Sequence, residues 1–293
     1  MSSKLKDKNI LIIGFGIVGK AIAHYYSKRS VNQLLINDRY LEDEEVGDYC
    51  YTHKLGPYKV VDIDLDLIEN SDNLLTFLCV PAVQKGKSFD LREVHYSLRK
   101  LDDLAKILEK RLVVLIKTTL IPGTTYKLQE RYPNLILYFC PEFLTETTAI
   151  QDFSDPDIQV LGYSQDSDAR KLATEILKYL PLASCSFITT AKNAEAIKLV
   201  RNTFFASKVA LFNEIYEVLK SIGIDYQEIV EALGSCRMIA PYHLDIFHKG
   251  GRGAGGKCLP KDLNAFVNLG KAKKPILRQI YKYNKKLIKL YKK

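Results

Sequence analysis

The chain has 293 residues, of which 47% are hydrophobic and 26% charged, a composition typical of a globular protein with one large or two ordinary domains. Its six cysteines lack CxxC spacing, which argues against a disulfide framework or a metal site and indicates a reducing, cytoplasmic compartment. No apolar run approaches the roughly 20 residues that span a bilayer, and we expect no signal peptide. The net charge of +9 comes from a lysine-rich C-terminal segment, so the body of the chain gives no reason to expect nucleic-acid binding.

The N-terminal segment predicts a dinucleotide-binding unit. A buried strand at 9–13 runs into Gly14-Phe15-Gly16-Ile17-Val18-Gly19, a helix follows, and a second strand ends before Asp38. The three glycines serve, in order, the tight turn, the approach of the pyrophosphate and the close packing of helix on strand. Asp38 would accept hydrogen bonds from the adenosine ribose and repel a 2′-phosphate, which favours NAD over NADP. The neighbouring Arg39 leaves NADP open, because an arginine can accommodate that phosphate.

Further buried strands alternate with helices up to about residue 189. We predict strands near 74–80, 112–116, 135–140, 158–162 and 186–188, whereas residues 40–73 read as irregular. This alternation predicts an α/β fold with a doubly wound, Rossmann-type parallel sheet in a domain covering residues 1–189. Ligands of such sheets bind beyond the carboxyl ends of the strands, where Val80-Pro81, Thr119 and Glu142 fall.

The hydrophobic period changes near residue 190, and we predict an all-α central domain over residues 190–293. Apolar residues cover most of the circumference of a helix at 191–222, which predicts that this helix is largely buried. Glu195, Lys198 and Asn202 form a polar stripe on it, for which a structural Glu195–Lys198 pair is the alternative to a functional role. The basic amphipathic segment 276–290 either docks on the body or on a partner subunit, or binds nucleic acid or membrane.

The segment 250–262 combines five glycines with one thiol. Lys257 and Lys261 flank Cys258, and Asp262 follows. Glycines let a backbone approach a ligand, and cations beside a thiol favour its ionised, nucleophilic form. The alternative is a flexible surface loop with an incidental cysteine.

Six motifs follow one another along the chain. They are Gly14-Phe15-Gly16-Ile17-Val18-Gly19, Cys79-Val80-Pro81, Lys117-Thr118-Thr119 with Pro122-Gly123, Pro141-Glu142-Phe143-Leu144-Thr145-Glu146, Ala194-Glu195-Ala196-Ile197-Lys198 with Asn202 and Asn213-Glu214, and Gly255-Gly256-Lys257-Cys258-Leu259-Pro260-Lys261-Asp262. In this order, and from about residue 9 to 270, they resemble the motifs of the UDP-glucose/GDP-mannose dehydrogenase family.

The resemblance implies that a nucleotide sugar's C6 alcohol is oxidised to a carboxylate, with two NAD per turnover, in a homodimer formed through the central helices. It implies that Cys258 attacks the aldehyde intermediate and that the thiohemiacetal becomes a thioester. Lys198 and Asn202 would stabilise the oxyanion, Glu142 would do acid–base work in thioester hydrolysis, and Asp262 and Thr119 would hold a water. The remaining implied contacts are to the cofactor from Gly14, Phe15, Gly16, Ile17, Val18, Gly19, Asp38, Val80, Pro81, Thr119, Glu146 and Lys261, and to the substrate from Phe143, Leu144, Lys198, Asn202, Arg237, Gly255 and Gly256.

Three departures from the family pattern shape the alternatives. Ala82-Val83 stands where the family usually has Thr-Pro, and the spacing from Arg237 to Cys258 is longer than in many members. The chain also stops within what resembles the family's long helix toward a third, nucleotide-binding domain, and a separate chain that supplies this domain is one alternative. The alternatives are a β-hydroxyacid-type dehydrogenase, which needs no thiol, and a non-catalytic NAD-binding homologue that acts with a partner chain.

Overall fold

The computed structural model describes residues 5–63, 67, 73–86, 88–248 and 251–291. Gly250, the first glycine of the Cys258 segment, lies outside these residues, as does part of the stretch 40–73. The chain forms two compact units. The first comprises Met1–Lys85 and Phe89–Lys198, and the second comprises Leu199–Lys293 with Gly86–Ser88.

The first unit is built on an eight-stranded sheet. The strands of this part of the chain are β1 (Asn9–Ile13), β2 (Gln33–Asn37), β3 (Tyr58–Val60), β4 (Leu74–Leu78), β5 (Val83–Lys85), β6 (Ser88–Asp90), β7 (Leu112–Ile116), β8 (Leu135–Phe139), β9 (Ile158–Tyr163) and β10 (Cys185–Thr190). The sheet has the order β10-β9-β8-β7-β4-β1-β2-β3. Residues of β1 alternate between two hydrophobic cores, with Ile10 and Ile12 on one side of the sheet and Leu11 and Ile13 on the other. This explains why the strand reads as a continuous apolar run.

The sheet is mixed, which corrects the prediction of a parallel sheet in one detail. Strands β3, β2, β1, β4, β7 and β8 are parallel, but β9 pairs antiparallel with β8, and β10 runs parallel to β9. A parallel neighbour needs a crossover that carries the chain from the carboxyl end of one strand back to the amino end of the next, usually by a long helix. After β8 the chain has only the six-residue helix Ala149–Ser154 before β9. Strand β9 therefore begins at the end of the sheet where β8 finishes, and runs in the opposite direction.

Helices cover both faces of this sheet. They are α1 (Ile17–Ser27), α2 (Asp43–Thr52), α3 (Arg92–Ile107), α4 (Thr124–Arg131), α5 (Ala149–Ser154), α6 (Ser167–Leu177) and the start of α7 (Ala191–Ser221). The reading of residues 40–73 as irregular was wrong for α2 and β3. A capping box starts α2, in which Glu42 and Glu45 exchange hydrogen bonds with each other's backbone N–H groups. Acidic side chains in the first turn are favourable beside the positive end of the helix dipole.

The second unit contains most of α7, followed by α8 (Tyr226–Gly234), β11 (Phe247–His248), β12 (Gly251–Arg252), α9 (Leu259–Val267) and α10 (Pro275–Leu290). The basic amphipathic segment is α10, which packs on α9 and on β12. Leu287 and Asn284 are buried, and Leu277 and Ile280 pack against a core to which α7 and α9 contribute. Docking on the body is therefore the alternative that the structure confirms for this helix.

Helix α7 is less buried than its sequence predicts. Ala206, Val209 and Phe212 are buried, but Phe204 and Leu211 are 61% and 55% exposed. The prediction was wrong because a single chain covers only one face of a helix that is apolar on several. Although α7 has 31 residues, no helix of the described residues is both long and apolar enough to cross a membrane.

Candidate active site

The glycine motif connects β1 to α1, includes the first turn of α1 and has the geometry of a dinucleotide cradle. Gly14 has φ +94°, and a Cβ there would lie 2.9 Å from the backbone of Cys79 and Val80. A Cβ at Gly19 would lie 2.1 Å from the carbonyl oxygen of Gly14, so only glycine permits this contact. A Cβ at Gly16 would meet nothing within 4 Å, and Gly16 starts α1 without a side-chain cap. The open backbone at a helix N-terminus fits a pyrophosphate.

The carboxylate of Asp38 is held beside this cradle by backbone N–H groups. Phe15 N–H donates to Asp38 Oδ2 at 2.6 Å, and Tyr40 and Leu41 N–H donate to Oδ1 at 2.9 and 3.2 Å. Phe15 is buried, whereas Ile17 is 48% exposed at the first turn of α1. The structure thus places the acid at the carboxyl end of β2, beside the glycine turn, as the sequence predicts.

A buried ion pair joins the start of α7 to the loop after β8. Lys198 Nζ donates to Glu142 Oε1 at 2.7 Å and to the carbonyl oxygen of Glu142 at 2.6 Å, and the two side chains are 4% and 12% exposed. Glu142 Oε2 accepts a hydrogen bond from Leu144 N–H at 2.9 Å. Burial would raise the pKa of Glu142, but the Lys198 ammonium and the Leu144 N–H outweigh it, so the pKa lies below its ordinary value. Glu142 is therefore a carboxylate at neutral pH.

Glu195 does not pair with Lys198, so the expected alternative of a Glu195–Lys198 pair was wrong. Its carboxylate is fully buried at the N-terminus of α4. It accepts hydrogen bonds from Gly123 N–H, from Thr125 N–H at 2.8 Å and from Thr125 Oγ1 at 2.6 Å. Glu195 thus caps a helix far away in the sequence, a role that no local motif reveals.

The rim of the sheet between β4 and β8 is tied together by side chains. Thr118 Oγ1 donates to the carbonyl oxygen of Val80 at 2.6 Å, which joins the ends of β7 and β4. Thr119 and Val80 are half-buried on this rim, and Pro81 is exposed. Lys117, only 4% exposed, donates from Nζ to Cys140 Sγ at 3.2 Å.

The loop from Pro141 to Glu146 is not helical, so Glu142 and Glu146 do not share a helix face. Phe143 and Leu144 are half-buried, and the Phe143 ring centroid lies 5.7 Å from Lys198 Nζ. Glu146 is exposed and lines a cavity of about 580 Å³ together with Ile17. Glu146 thus lies beside the first turn of α1, and its contact with the cofactor stays a prediction.

In the second unit, Cys258 is the N-cap residue of α9 and is exposed. Its carbonyl oxygen accepts a hydrogen bond from Asp262 N–H at 2.9 Å, the first bond of the helix. A helix N-terminus carries partial positive charge and favours an anion such as a thiolate. Lys257 is exposed, and Lys261 Nζ lies 2.8 Å from Asp262 Oδ1.

Asp262 is fully buried one turn after the thiol. Asn202 Nδ2 on α7 donates to Asp262 Oδ2 at 2.6 Å. Lys261 approaches the other carboxylate oxygen at ion-pair distance but without hydrogen-bond alignment. Two residues that the sequence assigns to different motifs, Asn202 and Asp262, are therefore brought into direct contact.

Two polar residues that the sequence analysis missed hold the segment before Cys258. Arg252, 4% exposed, donates from Nε to Asn213 Oδ1 at 2.9 Å and from Nη1 to Glu217. Asn284 on α10 accepts from Ala254 N–H at 2.6 Å and donates to its carbonyl oxygen at 3.1 Å. The sequence offers one signal for Asn284, because it is an asparagine at a position where the spacing of an amphipathic helix predicts an apolar residue.

The other expected substrate residues are less enclosed. Gly255 is half-buried and Gly256 is exposed, and a Cβ at either would meet nothing within 4 Å. Arg237 is exposed in the turn that follows α8. Among the residues that the structure describes, no group of three or more His, Cys, Asp or Glu side chains has an arrangement that could hold a metal ion.

Two domains of one protein family match the chain. The NAD binding domain of the UDP-glucose/GDP-mannose dehydrogenase family matches residues 59–180, and the central domain of that family matches residues 192–286. The glycine motif precedes the first match, so its interpretation depends on the geometry above. Together with this geometry, the match to the NAD binding domain identifies NAD as the cofactor.

The chain is similar to UDP-glucose 6-dehydrogenase AglM of Haloferax volcanii, with 28% identity over 285 residues. That alignment covers 89% of this chain and 65% of the relative, so the chain spans just under two thirds of the relative's length. The fold is similar to that of a UDP-glucose dehydrogenase from Pyrobaculum islandicum, with a TM-score of 0.78, 22% identity and coverage of 98% of this chain and 70% of that one.

A second fold likeness is to 3-hydroxyisobutyrate dehydrogenase of Mycobacterium tuberculosis, with a TM-score of 0.68 and 12% identity. It covers 97% of this chain and 95% of that one, and at this identity it shows the fold alone. Membership is decided by the two domain matches, which together cover more than half of the chain. The chain belongs to the UDP-glucose/GDP-mannose dehydrogenase family.

Proposed function

We propose that the chain oxidises the C6 alcohol of a nucleotide sugar of the UDP-glucose kind to the uronate, using NAD. The observation that carries this proposal is the placement of Cys258. Its exposed thiol belongs to the N-cap residue of α9, one turn before a buried Asp262 that Asn202 holds at 2.6 Å. A thiol at a helix N-terminus, beside fixed polar groups, suits nucleophilic catalysis.

The oxidation removes four electrons from C6, and NAD, as the hydride acceptor, is consumed twice per sugar. In the proposal, Cys258 Sγ adds to the carbon of the aldehyde intermediate and forms a thiohemiacetal. Oxidation of this adduct leaves a thioester on Cys258. Attack by water then releases the carboxylate and regenerates the thiol.

Lys198 and Glu142 supply complementary chemistry in this scheme. Two N–H groups of the Lys198 ammonium point at Glu142, and the third is available to stabilise a developing oxyanion. The low pKa of Glu142 keeps it ionised, as a general base in thioester hydrolysis requires. We assign Asn202 to the oxyanion, and Asp262 and Thr119 to the water.

The proposal gives the remaining residues to binding. Gly14, Gly16 and Gly19 form the cradle that accepts the pyrophosphate, and Asp38 accepts the ribose hydroxyls. The other cofactor contacts are assigned to Phe15, Ile17, Val18, Val80, Pro81, Glu146 and Lys261, and the substrate contacts to Phe143, Leu144, Arg237, Gly255 and Gly256.

The test is NADH formation by the full chain with a panel of UDP- and GDP-sugars. We expect two NADH per sugar oxidised, and no second NADH after Cys258→Ser. Cys236→Ser is the matched control, because Cys236 is also an exposed thiol of the second unit. Full turnover by Cys258→Ser would refute the thiol mechanism.

A β-hydroxyacid-type dehydrogenase is the alternative that the same fold can carry, since the fold likeness covers 95% of 3-hydroxyisobutyrate dehydrogenase. It predicts one NADH from a small hydroxyacid and no effect of Cys258→Ser. Cofactor binding without turnover of either substrate class would instead support a non-catalytic homologue that acts with a partner chain, such as one supplying a nucleotide-binding domain.

We also propose that two copies of the chain pair through α7. Val200, Phe204, Leu211 and Val218 lie along this helix and are 50% to 61% exposed. Apolar side chains repeated on one helix are typical of an interface. Sedimentation should give a dimer for the native chain and a monomer for Phe204→Glu with Leu211→Glu. A native monomer at micromolar concentration would refute this pairing.

A further inference from the structure

Three elements of the first unit converge on a positively charged cleft. Helix α3 carries polar side chains at Arg92, His95, Tyr96 and Arg99, a spacing that puts them on one face. The end of β2 and the end of α4 add residues from two other parts of the chain. The resulting cavity of about 590 Å³, here called the arginine cleft, is lined by Arg39, Tyr40, Arg92, Tyr96, Arg99 and Arg131, among others.

The charge of the arginine cleft is poorly balanced. Glu93 is the carboxylate among its described lining residues, and it lies 3.3 Å from Arg39 Nη1. Arg92 Nε pairs with Asp90 Oδ2 at 2.8 Å, in an ion pair whose arginine is 85% exposed. Arg99 and Arg131 add two more positive charges to the same cavity. Glu93 and Asp90 offset two of the four guanidinium charges, so the cavity keeps a net positive charge that favours an anion.

His95 responds to this charge. Its Nδ1 lies 2.9 Å from Tyr132 Oη, which keeps the ring partly buried. Burial lowers the pKa of His95, and the nearby Arg131 and Arg99 lower it further. His95 is therefore an internal reporter of the potential in the arginine cleft.

The cleft adjoins the ribose end of the cofactor site. Arg39 directly follows Asp38, whose carboxylate is fixed by the N–H groups of Phe15 and of Tyr40. The Arg39 guanidinium lies 4.3 Å from the centroid of the Tyr96 ring, which holds the cation over an aromatic face. Tyr40 and Tyr96 are 67% and 40% exposed and offer flat surfaces to a ring.

We propose that the arginine cleft binds a phosphate group carried on a nucleotide. Guanidinium groups match phosphate oxygens in bidentate geometry, and the exposed tyrosines suit the attached base. The phosphate has two possible sources, which share this chemistry. It is either the 2′-phosphate of NADP or a phosphate of a separate nucleotide that binds while NAD is in place. The inference depends on the first unit alone and is independent of the proposed sugar oxidation.

The test is calorimetric titration of inorganic pyrophosphate into the full chain saturated with NAD. The glycine cradle could also bind pyrophosphate, and bound NAD occupies it. We expect saturable binding that weakens about 100-fold or more in Arg99→Gln with Arg131→Gln, since the two lost charged hydrogen bonds are together worth roughly 3 kcal/mol or more. Arg170→Gln, an exposed arginine of α6, is the control and should bind as the native chain does. An unchanged affinity for NAD would show that the double variant is folded.

A second titration, into the chain saturated with NADP, separates the two sources. Pyrophosphate that no longer binds identifies the cleft as the 2′-phosphate site. Pyrophosphate that still binds, or NADP that does not bind at all, identifies a separate nucleotide. In either case, NMR titration should show that pyrophosphate raises the pKa of His95. The proposal is overturned if pyrophosphate does not bind the NAD-saturated chain, or if it binds native and double-variant chains equally.

Discussion

Replacing Lys198 by methionine is expected to destabilise the first unit by about 3 to 5 kcal/mol, the usual effect of removing one partner of a buried ion pair. The Lys198 and Glu142 side chains are 4% and 12% exposed, with Nζ and Oε1 2.7 Å apart. Methionine has a similar length but no charge. The Glu142 carboxylate would stay buried with the Leu144 N–H as its hydrogen-bond donor among the described residues.

Removing both charges should cost much less than removing one. A buried pair replaced by apolar groups of similar volume is often neutral, because neither charge is then left desolvated. We therefore expect Lys198→Met with Glu142→Leu to recover at least about 2 kcal/mol of the loss seen in Lys198→Met. Such a recovery would show that the loss in Lys198→Met is electrostatic, because a second substitution would not relieve a packing defect.

The measurement is urea unfolding followed by far-UV circular dichroism at pH 7, since the chain has no tryptophan for fluorescence. Lys178→Met is the matched control. Lys178 Nζ lies 2.8 Å from Glu175 Oε2, but the side chains are 47% and 41% exposed. Exposed pairs are worth about 1 kcal/mol or less. Equal losses in Lys198→Met and Lys178→Met would contradict the burial argument.

Three further predictions follow from contacts near the same loops. Burial raises the pKa of Glu142, but the Lys198 ammonium lowers it by more, so the folded-state pKa lies below the ordinary value of 4.5. The stability that this carboxylate contributes is therefore present above pH 4.5 and is lost as the pH falls through the folded-state pKa. The difference in free energy of unfolding between native and Glu142→Gln chains, measured by urea unfolding from pH 7 to 3, should shrink only below about pH 4.5, and a constant difference would contradict this. Asn284→Leu removes both hydrogen bonds to Ala254 and should lower the free energy of unfolding in urea by about 2 to 4 kcal/mol, with slower NADH formation. An unchanged free energy and rate would show that these hydrogen bonds do not hold the segment before Cys258. Cys140→Val removes the sulfur that accepts from Lys117 and should lower the free energy of unfolding by about 2 kcal/mol or more, whereas Cys140→Ser keeps an acceptor and should lose less; the reverse order would make packing the main role of this thiol.

The cofactor unit was predictable because its signals are local. The turn at Gly14, the start of α1 and the acid after β2 lie within 25 residues of one another, and each depends on its own neighbours. The helix that the sequence analysis missed next to this motif, α2, was also missed for a local reason. Helix α2 escaped notice because a glutamate serves as its N-cap, which is uncommon.

Contacts between distant segments were not predictable from residue pattern. The spacing of Glu195 and Lys198 on α7 predicts one polar stripe, yet the first caps α4 and the second meets Glu142. Partners of this kind depend on which loops the sheet order brings to the start of α7, and periodicity carries no information about that.

The sequence by itself determined the fold class, the dinucleotide motif and the thiol in its glycine-rich segment, because each is encoded in a short run of residues. Tertiary structure alone decided the direction of β9, the exposed face of α7, the Asn284 clamp on Ala254 and the gathering of arginines 39, 92, 99 and 131 around one cavity. The physical reason is that burial and ion pairing are properties of surfaces that meet only after the chain has folded.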